Sequence, residues 1–188
     1  MGIDAVDLAH KLFRILETGD SEPAAEVVHP DFYNREAAVA PEACGLLGPA
    51  GVLASSAWMR YAFTELSFPI TETAGNDSQV WVRLRMQGCH TGPFVRFRNG
   101  ALDQAIPPTG RSIDFEQIHV LEVRDGKVAA HEAVRDDVTM LGQLGVFPPS
   151  PAVALRMVSW KLTGKAARAA SDVSSAAADA AAASSRQR

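Results

Sequence analysis

The stretch FEQIHVLEVRDGKVAAHEAVRDD, residues 115–137, decides the fold. At its centre Asp125-Gly126 separates two runs that alternate apolar and polar residues, which is among the strongest hairpin signals a sequence carries. The alternation predicts one strand from Ser112 to Val123 and its partner from Lys127 to Arg135. Fixing the turn fixes a register. Arg124 faces Lys127, Val123 faces Val128, and outward from there Leu121 faces Ala130, His119 faces Glu132, Gln117 faces Val134 and Phe115 faces Asp136. Side chains alternate along strands, so these pairs share one face, apolar near the turn and polar further along. The opposite face pairs Val120 with His131, Ile118 with Ala133 and Glu116 with Arg135, the last as a cross-strand ion pair.

Upstream, a second two-residue period runs from Val80 to Gly88, with Val80, Val82, Leu84 and Met86 on one face and Trp81, Arg83, Arg85 and Gln87 on the other. Leu66 to Thr73 reads as its neighbour across a turn at Gly75-Asn76-Asp77, and Gly92 to Pro108, rich in Gly and Pro, as a loop. Before residue 64 the period is helical. Ala5, Leu8, Ala9, Leu12, Phe13 and Leu16 line one side of a first helix with Asp4 as its N-cap and Gly19 as its stop. A shorter helix runs from Ser21 to Pro30, an extended piece or loop follows from Asp31 to Pro41, and a third helix starting near Pro49 carries Val52, Leu53, Trp58, Met59 and Phe63. Asp137 is positioned to cap a short helix that Gly145 stops. Helices followed by antiparallel strands predict an α+β fold, with three N-terminal helices closing a strongly bent, cone-shaped antiparallel sheet around a cavity. The cone occupies residues 1–148, with a helical extension over 149–165. The Ala/Ser-rich run 166–188 lacks large apolar side chains and reads as a disordered tail or frayed helix.

Composition narrows the function. In 188 residues the net charge is −4, and no Lys/Arg stripe with interleaved aromatics appears, so no nucleic-acid partner is expected. No apolar run is long enough to cross a bilayer, and the N-terminus lacks the basic and apolar regions of a signal peptide, so no membrane partner and a cytoplasmic location are expected. Cys44 and Cys89 are too few and too far apart for a disulfide framework. There is no GxSxG elbow, no HExxH and no phosphate loop, so no metal and no cofactor are expected.

On the hairpin register, one mostly apolar face brings together His119, Glu132 and Asp136. A carboxylate in an apolar pocket loses hydration and becomes a stronger base, and a nearby His or Gln can hydrogen-bond an enolate oxygen. The same pattern is also met by His119 and Glu132 merely neutralising each other. His90 shares the parity of Met86 and either reaches the cavity or is a satisfied histidine at a strand end.

The segments Ile106 to Arg111, Val123 to Val128, His131 with Arg135-Asp136-Asp137, and Gln143-Leu144-Gly145 resemble the SnoaL-like polyketide cyclases, of the nuclear transport factor 2-like superfamily. His29-Pro30-Asp31-Phe32 and His90-Thr91-Gly92 look like that family's upstream segments, so the likeness spans roughly residues 5–148. The resemblance implies a bent-sheet cone and a cofactor-free intramolecular aldol ring closure of an apolar polyketide ester. Carried over by position, Asp136 would be the catalytic acid/base, and the hairpin register adds His119 and Glu132 as a supporting catalytic pair. His90, Gln117, Phe115, Met86, Leu84, Trp58 and Phe63 would contact the substrate. It also implies a homodimer through the outer sheet face. Where many members carry Glu-His-Trp, this chain has Ala130-His131-Glu132, an aromatic wall residue replaced by a carboxylate. The alternatives are a binding protein without catalysis, or a relative of the epoxide-hydrolase and hydroxylase-like branches of the same fold.

Overall fold

The computed structural model describes residues 5–185. The expected cap Asp4 lies outside them. Helix α1 (Ala5–Thr18) buries Leu8, Ala9, Leu12, Phe13 and Leu16, the stripe its 3.6-residue period predicts. The second helix is shorter than expected: α2 covers only Ala24–Val27, and the chain extends from Val28 into strand β1 (Val28–Asn34). Two short 3-10 turns, Arg35–Val39 and Glu42–Gly45, lead to α3 (Pro49–Ala62).

The predicted Leu66–Thr73 strand is two strands, β2 (Phe63–Ser67) and β3 (Ile70–Asn76), interrupted at Phe68-Pro69 because proline has no N–H for the ladder. Both pair antiparallel with β4 (Gln79–His90). The Gly/Pro-rich segment expected as a loop contains a separate hairpin, β5 (Phe94–Arg98) with β6 (Ala101–Ile106). The main hairpin is β7 (Ser112–Arg124) and β8 (Lys127–Arg135), turned through Asp125 and Gly126, both at positive φ as its twist requires. The main sheet is ordered β1-β8-β7-β4-β2, with β3 also on β4; β1 runs parallel to β8, so the sheet is not wholly antiparallel.

One feature of the hairpin re-aims a whole strand. Val123 pairs with Val128 as predicted, but Glu122 then pairs with Ala130, which leaves Ala129 as an extra residue on β8. This β-bulge inverts the parity of everything beyond it. His119 therefore faces Ala133, Val120 faces Glu132, and Gln117 faces Arg135. His131, Ala133 and Arg135 turn inward, while Glu132 and Val134 turn out.

Past β8, α4 (Asp137–Leu144) is capped by Asp136, not by Asp137: the Asp136 carboxylate accepts from Thr139 N at 3.0 Å and Thr139 Oγ1 at 2.6 Å. Helix α5 (Pro151–Leu162) follows. The Ala/Ser run expected to be disordered or frayed is a 21-residue helix, α6 (Lys165–Ser185), lying along α3. Ala166, Ala169, Ala170, Val173, Ala177 and Ala181 form its buried stripe. Small side chains let two helix axes approach closely, so contact between backbones replaces bulky knobs. With α6 behind it and the cavity in front, α3 is buried on nearly every side.

Candidate active site

Between the helices and the concave face of the sheet lies a mostly apolar cavity. Its walls are largely aromatic: Phe13 from α1, Trp58 from α3, Phe63, Phe94 from β5, and Phe115 from β7. Trp58 and Phe94 stack at 5.8 Å, and the indole N–H donates to Val95 O at 2.9 Å, so the ring is held by both ends. Met86, from the inward face of β4, completes this wall.

Five of the predicted substrate contacts, namely Gln117, Phe115, Met86, Trp58 and Phe63, line the cavity, as does His119. Leu84 and His90 do not line it. Leu84 is packed behind the wall at 0% exposure. His90 is buried at the strand end, where Thr109 N donates to its Nδ1 at 3.3 Å and Thr109 Oγ1 lies 3.0 Å away. Its ring lies 5.3 Å from Phe63, and its Nε2 has no partner among the described residues. Burial, and then the Arg156 charge, push its pKa down to about 4.

Glu132 and Asp136 are also outside the cavity, and the bulge at Ala129 is the reason. Glu132 is half exposed and pairs with Arg35 at 2.8 Å on the far side of the sheet. The carboxylate expected in place of an aromatic wall residue therefore sits on the outer face, not at the cavity wall. Asp136 is exposed as the helix cap, and its hydrogen bonds from Thr139 hold its pKa below the ordinary carboxylate range. The expected Glu116–Arg135 pair is absent for the same reason: Glu116 meets Arg83 at 2.9 Å, whereas Arg135 meets Glu36 at 3.2 Å and Asp137 at 3.6 Å.

What the inverted parity brings inside is a continuous polar chain. His119 Nε2 is 2.7 Å from Gln117 Oε1, and His119 Nδ1 is 2.7 Å from His131 Nε2. His131 Nδ1 is 3.0 Å from Asn34 Oδ1. The two rings stack at 5.0 Å, and Phe13 meets His119 edge-on at 4.9 Å. Burial is the main force lowering both imidazole pKa values. The His131 and Arg135 charges add to it for His119, which falls well below its ordinary value; Arg135 adds to it for His131, which falls to about 4. At neutral pH both rings are uncharged.

The proton positions follow from one backbone group. Glu36 N donates to Asn34 Oδ1 at 3.0 Å, so that atom is the carbonyl oxygen, and His131 Nδ1 beside it must carry a hydrogen. In a neutral His131, Nε2 is then an acceptor, so His119 donates from Nδ1. A neutral His119 is left with a bare Nε2 at the cavity wall. The neutral pair therefore needs the Gln117 amide turned so that its NH2 rather than its oxygen meets Nε2 at this 2.7 Å contact, since the two ends of an amide are told apart only by their partners.

Asn34, Glu36, His131, Arg135 and Asp137 were not among the predicted site residues, yet all line the cavity. Strand β1 ends at Asn34 opposite His131, so the N–H of Ala133 has no strand beside it, and the Glu36 carboxylate accepts it at 3.0 Å. The Asn-x-Glu spacing, with Asn34 capping the following turn, was the available signal for this corner.

The profile of the SnoaL-like polyketide cyclases matches residues 6–144. The aklanonic acid methyl ester cyclase DnrD of Streptomyces peucetius is 32% identical over 149 residues, covering 78% of this chain and 94% of that protein. A nogalonic acid methyl ester cyclase of Streptomyces nogalater is 30% identical over 131 residues, covering 68% and 87%. Among solved structures, TsrD from Streptomyces laurentii superposes with a TM-score of 0.61 at 21% identity, covering 76% of this chain and 98% of that one. IdmH from Streptomyces antibioticus gives a TM-score of 0.57 at 26% identity, covering 75% and 98%. Sequence and fold agree, and the chain belongs to the SnoaL-like polyketide cyclase family.

Proposed function

We propose that the protein closes a ring in an aromatic polyketide ester by an intramolecular aldol addition, with His119 as the acid/base. The observation that carries this is the Asn34–His131–His119–Gln117 hydrogen-bond chain at the wall of an aromatic cavity, and the tautomers argued above leave His119 Nε2 as its unprotonated end. His119 Nε2 removes the proton between two carbonyls of the substrate. The resulting enolate carbon attacks a ketone carbonyl, one C–C bond forms, and the alkoxide takes the proton back from His119. Substrate and product are isomers, and no electron acceptor or hydrolytic water takes part. Gln117 follows the proton by turning its amide, and Arg135, with Asp137 and Glu36, supplies the polar end against which a carbonyl oxygen can settle.

Asp136 and Glu132 take no part in this reading. The burial of His119 and the depressed pKa of its partner favour the neutral base that the first step requires. The test is incubation with methyl esters of the kind for which the relatives are named, followed by chromatography and NMR. The wild type should yield an isomer of unchanged mass, and His119→Phe should bind the ester without converting it. Recovery of unaltered ester from the wild type would favour a binding protein instead.

A cytoplasmic homodimer accompanies this proposal. Trp81 and Ile118 stand half exposed on the outer sheet face beside Val134, with Arg83, Arg85 and Glu116 around them, a mixed surface suited to meeting its own copy. A monomeric mass in light scattering would remove the dimer. Among the described residues no helix is long and apolar enough to cross a membrane.

A further inference from the structure

We infer that Arg96 is an oxyanion anchor, so that the cavity takes a flat aromatic substrate bearing an anionic oxygen, a carboxylate or a phenolate. This rests on reading the cavity as the substrate site. Arg96 lines it from β5, two residues after Phe94, so alternation along the strand sets both on the cavity side. Among the described residues it forms no hydrogen bond or ion pair. The guanidinium groups of Arg35, Arg83, Arg85, Arg98 and Arg135 all meet carboxylates. Arg60 also has no such partner, but it is exposed at the surface, whereas Arg96 is partly buried.

A partly buried cation without a partner is costly, and that cost is offset only when an anion or strong acceptor arrives. The carboxylates elsewhere in the lining, Glu36 and Asp137, are already engaged with Arg135. A guanidinium is a planar fork that grips both oxygens of a carboxylate, or the adjacent oxygens of a hydroxyquinone, and it stacks readily on an aromatic face. With Phe94 on the same strand face and Trp58 stacked on Phe94, the surroundings favour a flat ring carrying such oxygens at its rim. Arg96 thus sets which end of the polycycle enters and in which orientation it reaches His119.

Calorimetric titration of the full chain with three probes tests this: anthraquinone-2-carboxylate, its neutral methyl ester, and 2-hydroxyanthraquinone followed above and below its phenol ionisation. The wild type should bind the carboxylate about tenfold more tightly than the ester, the scale of one charge-assisted contact at a half-exposed site. Arg96→Gln should erase that ratio while leaving ester affinity within about twofold, and Arg96→Lys should retain part of it. If the natural anion is a phenolate, 2-hydroxyanthraquinone binding will tighten with its ionisation in the wild type alone. Equal discrimination in wild type and Arg96→Gln, or no preference for either anion in the wild type, overturns the assignment. A wild type that discriminates among the probes but converts no polyketide ester refutes the cyclase reading and leaves the Arg96 assignment standing.

Discussion

Asn34→Asp changes one atom at the far end of the histidine chain and should be felt along its length. Both acceptor contacts survive, the 3.0 Å approach to His131 Nδ1 and the 3.0 Å bond from Glu36 N; only a 3.4 Å contact to Ser55 is lost. The new charge lies about 4 Å from the imidazolium centre, an attraction of about 4 kcal/mol at an effective dielectric of about 20, before solvent screening. Carboxylates so placed raise a partner's pKa by about one to three pH units. His131 starts at about 4, against roughly 6.5 in the unfolded chain. Because the folded value is the lower one, the unfolded chain takes up the proton first as pH falls. Stability is therefore full above about pH 6.5 and declines towards pH 4, by about 2.5 kcal/mol at pH 4.5 for this residue alone. Moving the folded pKa up by two pH units would recover about 2 kcal/mol of that loss. Urea unfolding of wild type and Asn34→Asp at pH 7 and pH 4.5, with His131 followed by NMR, measures both quantities. The acid limb of kcat/KM should shift upward in the same variant. A His131 titration that stays in place, or a variant that loses more stability in acid than the wild type, would refute the tautomer chain.

Other consequences are simpler to check. Glu132→Gln removes a half-exposed ion pair with Arg35, which keeps Glu122, so stability should fall by less than about 1 kcal/mol and turnover should not change. Asp136→Asn keeps a good helix cap outside the cavity, so turnover should match the wild type and thermal melting should shift only slightly. Ala177 is fully buried in the stripe of α6, so Ala177→Leu should cost about 1–3 kcal/mol by overpacking, read as a lower urea midpoint. Phe115→Ala should weaken binding of a neutral anthraquinone ester several-fold by opening the wall, measured by titration.

The sequence revealed the scaffold more readily than the chemistry. Strand β4 was readable because only one of its faces is buried, which forces a two-residue period, and the β7–β8 turn was readable because Asp125-Gly126 meets its positive-φ requirement cheaply. The bulge left no such mark. Ala129 and Ala130 suit either face, so nothing in the residue types betrays the extra position, and the alternation beyond it points the wrong residues inward. That single slip exchanged Glu132 and Asp136 for His131, Arg135 and Asp137. In β5, the alternation of Phe94 and Arg96 is only five residues long and flanked by Gly and Pro, which hid both the hairpin and its cation. A frayed helix was one expectation for the Ala/Ser run; its docking left no sign because alanines, not large side chains, pack α6 against a neighbouring helix.

Ala129 works like a frameshift written in space. Deleting that one residue would place Ala130 directly after Val128 opposite Glu122 and keep His131 and Arg135 inside, whereas drawing Ala129 into regular pairing would turn Glu132 and Asp136 inward and His131 and Arg135 out to solvent. The same strand thus carries two alternative sets of acid/base groups, separated by a one-residue slip in register. Aligning relatives without a gap across this point would compare one protein's interior with another's exterior, and would credit its chemistry to residues that never meet the substrate.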